Sequence, residues 1–311
     1  MALEQRDGAE VMALPDASLP GLFQAADRAS LDGQRRFLTA SRIRLGLVLV
    51  AAIGGAVTLR AGASAFDLAA AATAVALVGT ALVETWLLTE KPDRTWYDGR
   101  ALAESAKTTA WRYAVGAAPF GKDGEESRTD SRYIEQLANL LHDAPHTGIA
   151  PSAAPAISPE MRELRGSDLA RRKKVYIEER IIGQQSWYAR KAEWNRKRGL
   201  AWSIALVVVE ILGVLTAMLR AFGVISIDLA GVIAAMIGIG VAWLAIKQHD
   251  TLGRAYALAA NELSIIRARL EAVRTEEAWA AEARDAEEAI SREHTMWRAS
   301  RSTLLGPHPP G

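Results

Sequence analysis

Apolar and polar positions along this chain are gathered into long blocks. Four blocks are almost wholly apolar: 45–59, 68–83 (continuing through Trp86, Leu87 and Leu88), 200–219 and 229–246. A helix rises about 1.5 Å per residue, so about 20 residues cross a hydrocarbon layer of roughly 30 Å. The last two blocks meet that length outright. The first does so if Arg44 and Arg60 at its ends extend to the interface, as long basic side chains do. The second is alanine-heavy and only moderately hydrophobic. The blocks come in two pairs, joined by the short stretches "RAGASAF" (60–66) and "RAFGVISID" (220–228). The pattern predicts two transmembrane helical hairpins, four spanning helices in all.

The polar blocks are patterned as well. "WYDGRALAESAKTTAWRYAV" (96–115) follows the second span and predicts an exit helix. Its Trp96, Ala103, Ala110 and Trp111 come to one side, and Arg100 with Glu104 forms an i,i+4 pair worth roughly a few tenths of a kcal/mol. A helix is expected over 131–142, and a Pro/Ala/Ser-rich linker follows. Residues 175–198 read as an approach helix that must bury Ile177, Ile181 and Trp187. After the fourth span, Leu252, Tyr256, Ala259, Leu263, Ile266, Leu270 and Val273 alternate at spacings of four and three, a heptad seam. One long helix over about 228–273 is expected, with a weaker stripe through Ala286, Ile290 and Trp297. The seam fits two partners, the approach helix of the same chain or the same helix of another subunit. The fold class is therefore an all-α membrane protein with long amphipathic, coiled-coil-like cytoplasmic helices. Its layout repeats: a polar arm at 1–33, a two-span domain at 34–152, a linker at 153–160, a second two-span domain at 161–305 and a tail at 306–311.

Composition sharpens this. The mean hydropathy of +0.04 is high for a chain with 23% charged residues, as expected when very apolar and very charged segments are averaged. Net charge is +1, which gives no electrostatic case for nucleic acid. Cysteine is absent, excluding disulfides and thiolate chemistry. The N-terminus lacks the basic and apolar regions of a cleavable signal peptide. The tight loops hold one Arg each, whereas Arg28, Arg35, Arg36 and Arg42, "RRKK" (171–174) and "NRKR" (195–198) lie elsewhere. The positive-inside rule then puts both termini and the centre in the cytoplasm, with Trp86, Trp96 and Tyr97 near the interface.

Glu210 sits near the middle of the third block. Facing lipid, a carboxylate there costs roughly 2.5–3.5 kcal/mol. It is therefore expected at a helix–helix interface or a water-filled cavity, either as a pore or intramembrane polar site or as protonated structural glue. Glu84, Arg60, Asp67, Arg220 and Asp228 lie nearer the ends and need only interfacial hydration. Ala230, Ala234 and Gly238, and Ala51 and Gly55, form small-residue faces for close packing. His142 and His146 are four apart, but Pro145 disfavours a helix presenting both. No nucleophile elbow, phosphate loop or zinc-protease motif occurs. No catalytic, cofactor or metal site is expected.

The stretches "WYDGRALAESAKTTAWRYAVGAAPF", "ISPEMRELRGSDLARRKKVYIEERIIGQQSWYARKAEWNRK", "ANELSIIRARLEAVRTEEAWA" and "EEAISREHTMWRASR" together resemble the SLATT superfamily of two-transmembrane effector domains. The first is similar to one subfamily, the other three to a second. The resemblance covers nearly all of the chain beyond its first thirty residues. It implies a tandem of two SLATT domains in a bacterial inner membrane, multi-pass and without enzymatic activity. It further implies a homo-oligomeric, pore-forming effector of a defence or conflict system, triggered by a separate sensor protein or nucleotide signal. The alternatives are a non-conducting membrane scaffold whose cytoplasmic helices recruit a partner, and a soluble helical protein with the apolar blocks as its core. On the pore reading Glu210 is the candidate intramembrane site. Trp96, Arg100, Glu104, Trp111, Trp187, Tyr188, Leu252, Tyr256, Leu263, Ile266, Leu270 and Trp297 are the candidate packing residues of the cytoplasmic helices.

Overall fold

The computed structural model describes residues 13–60, 66–144, 149–225 and 229–302, with side chains as far as residue 291. The loop residues 61–65, His146, Asp228, the Trp297 side chain and the tail fall outside the described residues. Among those described, the regular structure is helical: α1 (Gly21–Ala56), α2 (Leu68–Glu90), α3 (Pro92–Val115), α4 (Glu126–His142), α5 (Pro159–Gly166), α6 (Leu169–Val175), α7 (Gly183–Ala221), α8 (Leu229–Lys247), α9 (His249–Ala272) and α10 (Glu276–Ser302). A π-helical stretch, Tyr176–Ile182, joins α6 to α7.

The four apolar blocks lie in α1, α2, α7 and α8, all long and apolar enough to cross a membrane. At most 17% of any of these windows is buried within the chain. Helices apolar on every side and yet uncovered need an apolar solvent. The soluble alternative requires these segments as a core, and they do not form one.

The chain divides into two compact units. The apolar unit comprises 32–93 and 190–257. In its first hairpin Arg44 forms an ion pair with Glu84, so Glu84 has a partner within the chain as well as interfacial water. The Thr73 hydroxyl donates to the Ala51 carbonyl at 3.4 Å, and Ala51, Ala69 and Ala76 are buried. Asp67 caps α2, its carboxylate accepting from the N–H groups of Ala69 and Ala70. In the second hairpin the close approach is at Gly240, where a Cβ would stand 2.5 Å from Leu206. Ala234 and Gly238, expected as a packing face, are exposed instead, as is Gly55. The Arg42 guanidinium lies 5.5 Å from the Trp243 ring centroid, linking the two hairpins.

The single helix expected over 228–273 is interrupted. Gln248 adopts φ 50° between α8 and α9, and Lys91 adopts φ 46° between α2 and α3. Each N–H still bonds back to a helix carbonyl, Leu244 and Leu87 respectively. A left-handed residue ends a helix this way, and Pro92 then opens the next one. The repeated layout thus extends to the backbone: spanning helix, one left-handed residue, exit helix.

The polar unit draws on both halves of the chain, 94–189 and the segment from 258 onward, together with the N-terminal segment up to Leu31. Leu14, Leu19, Phe23, Ala25 and Ala26 are buried, and the Glu179 carboxylate accepts from the N–H groups of Ala13 and Leu14. Tyr113, Phe120 and Tyr133 form one aromatic cluster, with ring centroids 4.6–6.1 Å apart. Trp111, Tyr176 and Trp279 form another. Ala259, Leu263, Ile266 and Leu270 of the seam are buried. The first three share a small cavity with Tyr188 of α7 and with Ala289 and Ile290 of α10. Of the two partners open to the seam, it packs on helices of its own chain.

Candidate functional site

Helix α7 presents two faces within the apolar unit. Trp202, Leu206, Val209, Gly213 and Thr216 are its less exposed positions, spaced alternately four and three. This seam meets α8, with Leu206 against Gly240 and Gly213 against Ile233. Glu210 lies off the seam by roughly 80° at 3.6 residues per turn. It is exposed, with Val207, Ile211 and Val214 beside it, each more than half exposed. Ser203 and Ala217, seven residues either side, share its stripe and are also exposed. The helix–helix contact expected for Glu210 is therefore not made among the described residues. It has no hydrogen bond or ion pair among the described residues, and its carboxylate stands on the outside of an apolar bundle.

The second concentration of polar chemistry lies inside the polar unit, at the C-terminal end of α3. A helix end leaves its last carbonyls without partners and carries partial negative charge. Here Gly116, at φ 73°, closes a Schellman motif: its N–H bonds to the Tyr113 carbonyl and that of Ala117 to the Arg112 carbonyl. Side chains from the second half of the chain then fill the end. Arg165 donates to the carbonyls of Tyr113 (2.9 Å), Phe120 (2.8 Å) and Gly121 (3.1 Å). Arg172 donates to Val115 (2.8 Å) and Ser167 (3.1 Å) and pairs with Glu276. The Trp279 indole N–H also reaches the Val115 carbonyl, at 2.8 Å. A Cβ on residue 116 would lie 2.6 Å from an Arg172 Nη atom, so the motif and the arginine depend on the same glycine.

Farther back along α3, beside Thr108, the Glu287 carboxylate accepts from Arg180 Nε (2.9 Å) and Nη2 (2.8 Å) and from the Tyr176 hydroxyl (3.0 Å). Arg180 Nη2 also approaches the Thr108 hydroxyl at 3.5 Å. Both charged groups are essentially sealed, at 2% and 0% side-chain exposure. Burial pulls the guanidinium down, but the facing Glu287 carboxylate more than offsets it, and Arg180 is held above its ordinary pKa. Burial, and then the same carboxylate, raise Tyr176 well above its ordinary value, so its hydroxyl stays a proton donor. A satisfied buried pair of this kind fixes one arrangement of the elements that carry it.

Of the packing residues expected from sequence, Glu104, Trp111, Tyr188, Leu263, Ile266 and Leu270 are buried, and Trp96, Arg100 and Trp187 are half-buried in the same unit. Arg100 bonds Glu104 at 2.5 Å and also approaches Asp27 at 3.7 Å. Leu252 and Tyr256 are half-buried but belong to the apolar unit. Sequence reasoning missed Arg165, Arg172, Arg180 and Glu287. Their signal was the placing of charge on an apolar stripe: Arg172, Tyr176 and Arg180 recur every four residues beside Ile177 and Ile181, and Glu287 sits among Ala283, Ala286 and Ile290.

Two family models match the chain: SMODS and SLOG-associating 2TM effector domain 3 over residues 20–173, and SMODS and SLOG-associating 2TM effector domain 1 over residues 176–297. No curated protein and no solved structure matches it.

Proposed function

We propose that this chain, which belongs to the SLATT family as a tandem of two such domains, permeabilises a bacterial inner membrane by self-assembling around the Glu210 face of α7. SLATT domains are two-transmembrane effector domains linked to defence and conflict systems, and the four spanning helices here are those of a membrane effector. The observation that carries the finer reading is the exposure of Glu210 among apolar residues. A carboxylate left against lipid costs roughly 2.5–3.5 kcal/mol, and a neighbouring subunit or a shared aqueous path removes that cost. Several copies meeting along the Ser203–Glu210–Ala217 stripe bring their carboxylates to one polar lining. A ring of carboxylates favours cations. The basic distribution supports both termini in the cytoplasm, where the polar unit is open to a separate sensor protein or nucleotide-dependent trigger. Neither chemistry nor a cofactor enters this mechanism: the chain works by opening a path.

Reconstitution tests it. Liposomes holding a potassium gradient and the wild-type chain lose the gradient faster than liposomes holding equal inserted amounts of Glu210→Leu, and the two chains differ in cross-linked oligomer size. Equal leak and equal assembly of both chains refute the reading. Insertion without leak, with a partner captured by the polar unit, is the outcome expected of a scaffold.

A further inference from the structure

A second feature of the apolar unit lies away from Glu210. Helices α1 and α2 part to leave an open groove of about 530 Å³. Ala40 and Ile43 on α1 and Leu82, Val83 and Trp86 on α2 line it, and Arg35 and Arg36 stand at one end. From Arg36 to Ile43 is seven residues, roughly 10 Å along the helix. The groove therefore runs from a doubly cationic end to the level where the apolar block begins. Next to it the Arg44–Glu84 pair neutralises itself. The two arginines at the mouth are not neutralised in that way. Arg35 approaches only Asp32, at 3.8 Å with both side chains largely exposed, and Arg36 has no ion-pair partner among the described residues.

We propose that this groove binds an anionic phospholipid, with the phosphate on Arg35 and Arg36 and an acyl chain along Ile43, Leu82 and Val83. The inference rests on α1 and α2 spanning the membrane and is independent of any pore. The charge pattern selects the occupant. A neutral lipid leaves two guanidiniums unanswered, and a soluble anion leaves the apolar walls uncovered. Trp86, 38% exposed, offers the amphipathic ring favoured where headgroup meets hydrocarbon. Basic pockets between spanning helices are suited to anionic headgroups, and Arg binds phosphate through its planar fork.

The test uses the full chain purified in a neutral detergent, its thermal midpoint followed by circular dichroism. The additives are phosphatidylglycerol, phosphatidylcholine with the same acyl chains, and inorganic phosphate. Phosphatidylglycerol raises the midpoint by several degrees in a saturable way, and the other two do not. The double variant Arg35→Gln/Arg36→Gln loses most of that shift, whereas Arg196→Gln/Lys197→Gln, which also removes two cations beside a span, keeps it. Leu82→Trp fills the groove without changing charge and also loses the shift, which decides the matter if the arginine variant folds poorly. An equal shift with phosphatidylcholine, a shift with phosphate alone, or a full shift in Leu82→Trp overturns the proposal.

Discussion

Glu287→Gln is the sharpest perturbation of the polar unit, because it removes a charge and almost no volume. In the wild type the carboxylate accepts two Arg180 bonds and one from Tyr176, with both ionic groups at 2% exposure or less. The amide keeps one oxygen acceptor but leaves a buried guanidinium with the Thr108 hydroxyl, at 3.5 Å, and the weaker pull of the Glu104 carboxylate. Breaking a buried pair from one side costs about 3–5 kcal/mol, because the remaining charge is uncompensated. At roughly 2–4 °C per kcal/mol for a unit of this size, the midpoint falls by about 6–20 °C. Arg180→Met is expected to cost about as much. The double variant Arg180→Met/Glu287→Gln removes both charges and keeps an amide oxygen to accept from the Tyr176 hydroxyl, so it is expected to cost well under the sum of the two singles. Thermal and denaturant unfolding of the full chain in detergent, followed by near-UV circular dichroism of the buried Trp279 environment, measures all four corners of the cycle. A single variant within about 0.5 kcal/mol of wild type (roughly a twofold change in equilibrium constant), or a double variant as weak as the sum of the singles, refutes the reasoning.

Three further outcomes follow. Gly116→Ala must place a Cβ at φ 73° and 2.6 Å from Arg172, so it is expected to cost about 1–3 kcal/mol, read by the same unfolding assay. Gly240→Leu forces α7 from α8 at Leu206 and is expected to lower the melting midpoint and the yield of inserted protein. His249 is buried, and its Nδ1–H donates to Asn195 Oδ1 at 2.8 Å, an assignment fixed by the Asn195 amide donating to the Lys191 carbonyl. Burial first, then Lys247 and Arg198, hold it below its ordinary value of 6.5. The unfolded chain therefore takes up a proton before the folded one does. This contribution to stability is complete above pH 6.5 and declines as the pH falls below it. The thermal midpoint of wild type should drop from pH 7.5 to pH 5.5 more than that of His249→Gln; parallel drops contradict the assignment.

The parts of this fold that were legible in the sequence are those set by composition over long windows. Four apolar blocks and two tight connections were enough to predict the hairpins, because no soluble fold gives so many apolar residues a core. The seam through Leu263, Ile266 and Leu270 was legible as a stripe, but its partner was not, since periodicity records that a face is buried and not against what. The break at Gln248 was invisible because neither glycine nor proline marks it. Lys91 at least precedes Pro92. The joining of these separate segments in one polar unit rests on Arg165, Arg172 and Trp279 reaching carbonyls at the end of α3, and backbone acceptors leave no trace in side-chain pattern. Glu210 was legible as a misplaced charge. That it would face outward depends on the rotation of α7 against α8, which is fixed by the contacts of Leu206 with Gly240 and of Gly213 with Ile233.

The most direct test of the central claim is the membrane potential of bacteria expressing the full chain at controlled level, read with a voltage-sensitive dye beside Glu210→Leu at matched insertion. The account predicts depolarisation by the wild type, in the presence of its trigger where one is required, and a held potential with the variant. Equal depolarisation by both chains, or a held potential with wild type under triggering conditions, would contradict it.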